Sequence, residues 1–152
     1  MDIKRTAPVT AKTQMQIAAD RQTVWDALTD FETWPEWKRD VRSMSSLRGP
    51  VGAGSTFEWK AGPGTIRSTL EEVDSPGRIA WTGSTFGIKA VDVFRLEARD
   101  GGTLVTEEES WDGLLARLFR SRMRRTLQSG IDHGMEQLKA EAERRAGQRA
   151  AA

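Results

Sequence analysis

At 152 residues, 38% hydrophobic and 30% charged, the chain is long enough for one globular domain with a buried core. A net charge of +1 supplies no general field toward nucleic acid, and the absence of cysteine excludes disulfides, thiolate nucleophiles and cysteine-based zinc sites. Six tryptophans and five phenylalanines without a tyrosine point to broad, flat apolar surfaces.

Residues Thr10 to Ile17 alternate, with Ala11, Thr13, Met15 and Ile17 on one face, which predicts a half-buried first strand. Asp20 then offers an N-cap to a short helix over Arg21–Thr29, whose Val24, Trp25 and Leu28 keep helical spacing. A second helical turn is predicted in Phe31–Trp37, capped by Thr33 or Trp34, with Pro35 in the first turn. From Val41 the period returns to two. The predicted strands are Val41–Leu47, Ser55–Ala61, Thr65–Asp74, Arg78–Thr85, Lys89–Ala98 and Thr103–Trp111, punctuated by glycine- and proline-containing turns. Such short connections imply an antiparallel meander, because parallel pairs need long crossovers. A helix is predicted from Leu114 to about Arg145, with Leu127, Ile131, Gly134 and Leu138 on one stripe and Met123 and Met135 at its margins.

Strand, two short helices, six strands and a long helix describe an α+β architecture. The apolar stripe of the long helix needs a partner, and the concave side of a curved sheet is the surface available to it. The expected domain spans residues 10–146, with flexible termini at 1–9 and 147–152. Met1–Thr10 contains no apolar signal-peptide core, and no apolar run approaches the roughly 20 residues of a membrane span. A cytoplasmic location is expected.

The segment Val24-Trp25-Asp26-Ala27-Leu28-Thr29-Asp30-Phe31-Glu32-Thr33-Trp34-Pro35-Glu36-Trp37 resembles the opening of the START-like, or SRPBCC, superfamily. It is similar in particular to the polyketide cyclase/dehydrase and lipid-transport branch. The runs Thr69–Gly83 and Gly101–Trp111 extend the resemblance, which covers about Lys12 to Arg145. The resemblance implies a helix-grip fold, a seven-stranded antiparallel sheet curved around the C-terminal helix and enclosing a hydrophobic ligand cavity. Relatives often carry His at the position of Asp92 and His or Arg at that of Glu107, so this interior is the more acidic one.

The candidate ligand-binding wall is Trp34, Trp37, Phe57, Trp59, Trp81, Phe94, Trp111, Met123, Leu127 and Ile131, together with the carboxylates Asp92, Glu107 and Glu109. Strand alternation places Glu107 and Glu109 on the face of Val105 and Trp111, about 6–7 Å apart along the strand, and Asp92 with Phe94 and Leu96. Buried carboxylates have raised pKa values and can act as acids or hold a polar ligand group. The structural reading, that one or both glutamates pair with arginine or point out at the sheet rim, is the more expected of the two. His133, the single histidine, lies about 150° from the apolar stripe and faces solvent. With neither cysteine nor an inward histidine, no metal and no cofactor are expected.

Arg120 and Arg124 fall on the stripe of Leu127 and Leu138, so either the helix bends near Ser121 or these arginines stand at a cavity mouth. The stretch Leu114–Arg125 is basic and amphipathic. A lipid carrier would benefit from membrane docking there, but packing on the sheet explains the same residues, so neither membrane contact nor nucleic-acid binding is expected. Gly130 and Gly134 in the long helix leave either a close packing contact or open volume. Two functions lead, ahead of a third class, a stress or interaction protein that uses the Arg117–Arg125 surface. The first is binding or transport of a hydrophobic small molecule, a lipid or an aromatic polyketide. The second is a cyclase/aromatase-like enzyme using Asp92, Glu107 or Glu109 as acid or base. Oligomeric state leaves no mark in the sequence.

Overall fold

Alternating apolar residues separated by tight turns build the sheet strand by strand. A computed structural model describes residues 1–45, 47 and 49–152. The strands are β1 (Val9–Ile17), β2 (Val41–Met44), β3 (Thr56–Ala61), β4 (Gly64–Asp74), β5 (Arg78–Thr85), β6 (Ile88–Arg99) and β7 (Gly102–Asp112). They form one antiparallel sheet in the order β1-β7-β6-β5-β4-β3-β2. β2 to β7 follow the expected meander. β1, which has no short turn to a partner, closes on β7 with Val9 opposite Trp111 and Ile17 opposite Thr103. The expected extension of β2 to Leu47 runs through Ser46, outside the described residues.

Between β1 and β2 the chain folds α1 (Arg21–Thr29), where the Asp20 carboxylate accepts a hydrogen bond from the Thr23 backbone N–H at 2.8 Å. A 3₁₀ turn, Phe31–Thr33, runs directly into α2 (Trp34–Trp37), with Thr33 at its N-cap and Pro35 in its first turn. After β7 come α3 (Leu114–Leu118) and α4 (Arg120–Ala151). The single long helix expected from Leu114 is thus broken at Phe119, whose φ of −112° and ψ of 33° are not helical.

α4 also runs on to Ala151 instead of ending near Arg145. Ala146 packs against the larger apolar cluster, and ion pairs hold the last turns. Arg145 donates to Asp30 at 3.1 Å, and Arg149 donates to Asp26 and to Thr23 Oγ1, each at 2.8 Å. At the other terminus, Asp2 accepts from Arg78 and Arg95, while Lys4 pairs with Asp112.

One face of α4 buries Leu127, Ile131, Met135 and Leu138. Their targets form two apolar clusters. The larger joins Ile17, Val24, Trp25, Phe31, Trp34, Phe57, Trp81, Phe94, Leu96 and Val105 with Met135 and Leu138. The smaller joins Val9, Ala11 and Ala116 with Leu127 and Ile131. Arg67 lies on the outer sheet surface and pairs with Glu58 at 3.0 Å.

Candidate functional site

The two clusters are separated by charge. Along the inward face of β7, Val105 belongs to the larger cluster and Trp111 borders the smaller, with Glu107 and Glu109 between them. β6 pairs Asp92 with Glu109 and Phe94 with Glu107, so the third carboxylate enters the same layer. Residues sharing one face at adjacent register positions can reach one another. Here oxygens of Asp92, Glu107 and Glu109 converge to within 4.8 Å, closer than the strand rise alone suggests, because the side chains lean together on the concave face.

Asp92 is 8% exposed, Glu107 is 4% exposed and Glu109 is half-buried. Glu109 accepts a 2.6 Å hydrogen bond from Trp111 Nε1. Asp92 Oδ1 is buried and has no hydrogen-bond partner among the described residues. Removing carboxylates from water favours their neutral forms, and mutual repulsion adds to the effect. Burial and then the neighbouring Glu107 and Glu109 charges push Asp92 well above the ordinary carboxylate range. Burial raises Glu107 to about 8, against the opposing pull of Lys38. Burial also raises Glu109 to about 7, opposed by the Trp111 hydrogen bond and by Lys38.

Among the described residues, Lys38 is the one cation acting on all three carboxyl groups, and the sequence alone did not single it out. It follows α2, where its ammonium lies 4.5 Å from the Trp34 ring centroid and 5.7 Å from that of Trp59. Its stem passes α4 at Gly134, where an added Cβ would stand 3.5 Å from Lys38 Cε. An added methyl group would make only ordinary van der Waals contact there, so Gly134 faces the lysine stem and not a strand. Gly130 has no atom within 4 Å of such a Cβ. No sequence signal joins positions 38, 92 and 134, because only folding brings α2, β6 and α4 together.

The expected wall residues divide between the clusters. Trp34, Phe57, Trp81 and Phe94 are buried and packed ring on ring with Phe31, at centroid separations from 4.8 Å (Phe31–Phe57) to 6.4 Å (Trp34–Phe57). Trp37 and Trp59 are half-buried at the edge of that stack, Trp59 donating to Ser68 Oγ at 3.0 Å. Trp111 and Met123 are half-buried beside the smaller cluster, where Leu127 and Ile131 are buried. A groove of about 770 Å³ opens on the other face of the sheet, lined by outward residues such as Glu58, Arg67, Thr82 and Lys89. His133 is exposed, with Nδ1 2.7 Å from the Ser129 carbonyl oxygen, and stays clear of the acidic layer. Arg120 and Arg124 are exposed because the first turns of α4 overhang the smaller cluster.

Chemically, the layer offers three carboxyl groups that cannot all ionise together, with the Lys38 ammonium as the neighbouring cation. Near neutrality it both donates and accepts hydrogen bonds. The same three carboxylates are the acidic cluster among the described residues whose oxygens converge closely enough for a hard cation, for which Lys38 is the competing charge.

A curved seven-stranded antiparallel sheet gripping a C-terminal helix, with polar groups set into an apolar interior, defines a START-like (SRPBCC) domain. Residues 8–143 match the family described as polyketide cyclase / dehydrase and lipid transport, and the chain belongs to that family. No curated protein matches the sequence. Among solved structures, the hypothetical protein jhp0584 of Helicobacter pylori superimposes with a TM-score of 0.79 at 14% identity, over 92% of this chain and 91% of that one. TTHA0849 of Thermus thermophilus gives 0.77 at 15% identity, over 90% and 99%. The di-domain ARO/CYC StfQ of the steffimycin biosynthetic pathway gives 0.78 at 17% identity, over 91% of this chain and 52% of that one. At these identities the likeness is one of fold. No helix among the described residues is long and apolar enough to cross a membrane.

Proposed function

We propose that the protein binds a hydrophobic small molecule between the concave face of the sheet and α4, with the ligand's polar group held by Asp92, Glu107, Glu109 and Lys38. The observation that carries this reading is the unpartnered, buried Asp92 Oδ1 inside a layer of three converging carboxyl groups. Burying such groups costs several kcal/mol without structural return, and a ligand that hydrogen-bonds them offsets that cost. The apolar body of the ligand takes the place of side chains in the adjoining clusters, where Trp37, Trp59, Trp111 and Met123 are only half-buried. Family membership and the likeness to StfQ support an aromatic polyketide or a lipid as the ligand. Titration with fatty acids, flavonoids and polyketides, followed by tryptophan fluorescence, tests the proposal. Saturable quenching that weakens about tenfold in Lys38→Met is expected, the loss of one charge-assisted hydrogen bond. No binding up to the solubility limits refutes it.

A second reading, a cyclase-like enzyme, is favoured by Glu107 and Glu109 both being raised toward neutrality, to about 8 and about 7. In that reading the Glu109 carboxylate removes a proton alpha to a carbonyl, and the protonated Glu107 donates one to the oxygen that becomes the enol. Full turnover of a poly-β-ketone analogue by both Glu107→Gln and Glu109→Gln defeats it.

A further inference from the structure

The least explained surface lies at the end of the molecule where β7 gives way to α3. Of the five residues of α3, Ala116 is the buried one, set into the smaller apolar cluster. Leu114 is 71% exposed, Leu118 67% and the following Phe119 53%. These are large apolar residues on a short helix whose packing needs are met by one alanine, so folding does not account for their type. Phe86 belongs to the same end. It occupies the tip of the β5–β6 hairpin with φ of 48°, a conformation favouring Asn, Asp or Gly, and is 64% exposed. Gly113, at the start of α3, packs so closely on that tip that an added Cβ would stand 2.3 Å from the Gly87 carbonyl oxygen.

Apart from Asp112, the charge on the segment that forms this apolar end has one sign. The segment Leu114–Arg125 holds Arg117, Arg120, Arg122, Arg124 and Arg125 and no acidic residue. Arg117 reaches Asp112 at 3.6 Å. Among the described residues no carboxylate forms an ion pair with the other four, whereas arginines elsewhere on α4 (Arg144, Arg145, Arg149) each have one. Cations in the first turns of a helix also oppose its dipole, a local cost that an external anion relieves.

We propose that α3, the Phe86 hairpin tip and the first turns of α4 form a docking surface for an anionic lipid bilayer. Leu114, Leu118, Phe119 and Phe86 enter the boundary between headgroups and acyl chains, and the arginines engage lipid phosphates. Exposed apolar side chains ringed by unpaired arginines match a bilayer surface, which presents apolar depth beneath a layer of negative charge. This surface stands apart from the ligand reading of the acidic layer and does not depend on it.

Co-sedimentation of the full chain with phosphatidylcholine vesicles, with and without phosphatidylglycerol, tests the proposal. The protein is expected to sediment with the anionic vesicles only, and to be released by high salt, since screening weakens the arginine contribution. Arg120→Glu with Arg124→Glu is expected to weaken partitioning at least tenfold, at roughly fivefold for each basic residue near the surface. Leu118→Ser with Phe119→Ser is expected to weaken it by a similar factor through lost apolar burial. All four positions are exposed, so unchanged circular dichroism and thermal midpoint accompany these losses. Failure of the folded protein to sediment with anionic vesicles overturns the proposal, as does sedimentation unaffected by both double variants. A dimer in size-exclusion chromatography that Leu118→Ser with Phe119→Ser dissociates, without vesicle binding, overturns it in favour of self-association.

Discussion

Replacing Glu107 by Gln removes one proton-binding site from the acidic layer while keeping its shape, and the consequence depends on pH in a calculable way. Glu107 is raised from 4.5 to about 8 in the folded protein. Below 4.5 both folded and unfolded chains carry the proton, and the substitution is nearly neutral. Between 4.5 and about 8 the unfolded chain gives up its proton while the folded one keeps it, so wild-type stability falls as pH rises. Above about 8 the loss is complete. At 1.36 kcal/mol per unit the gap corresponds to a ceiling of about 5 kcal/mol, reduced by coupling to Asp92 and Glu109. Urea unfolding followed by tryptophan fluorescence at about pH 5 and about pH 9 measures it. Glu107→Gln is expected to match the wild type near pH 5 and to exceed it by about 2 kcal/mol or more near pH 9, a midpoint shift of about 1 M. An advantage for Glu107→Gln of equal size at both pH values refutes a protonated Glu107 in the folded protein. The surface carboxylates have the opposite sign. Asp2, Glu72 and Asp112 are held below their ordinary values by hydrogen bonds from Arg78, the N-terminal amine and Lys4, so their contribution is lost on acidification below about pH 4. Wild-type stability is therefore expected to peak near about pH 5, between the two windows.

Lys38→Met removes the cation that lowers all three buried carboxyl pKa values, so they rise further. Its destabilisation is expected to grow above about pH 7, read from the same urea curves, together with a change in emission as Trp34 and Trp59 lose the ammonium. Gly130→Ala is expected to stabilise by about 1 kcal/mol, because it adds helix propensity where the new methyl group meets nothing. Arg145→Met breaks the link from Glu141 on α4 to Asp30 and leaves the buried Glu141 with Arg144. A loss of about 1–3 kcal/mol in thermal or urea unfolding is expected.

Local periodicity decided the elements of this protein. Alternation marked β5 at Arg78–Thr85, and the Asp20 cap marked α1 at Arg21–Thr29, because each depends on neighbours within a few residues. The inward set Val105, Glu107, Glu109 and Trp111 was readable for the same reason, and so was the outward His133. The closure of β1 on β7 rests on hydrogen bonds between segments roughly a hundred residues apart, for which the chain carries no local mark. The break at Phe119 and the run of α4 to Ala151 were decided by packing on Ala116 and by ion pairs to Asp26 and Asp30. The acidic layer needed both levels. Two of its carboxylates share a strand face in the sequence, but their convergence with Asp92, and the placing of Lys38 beside Gly134, exist only where four distant elements meet.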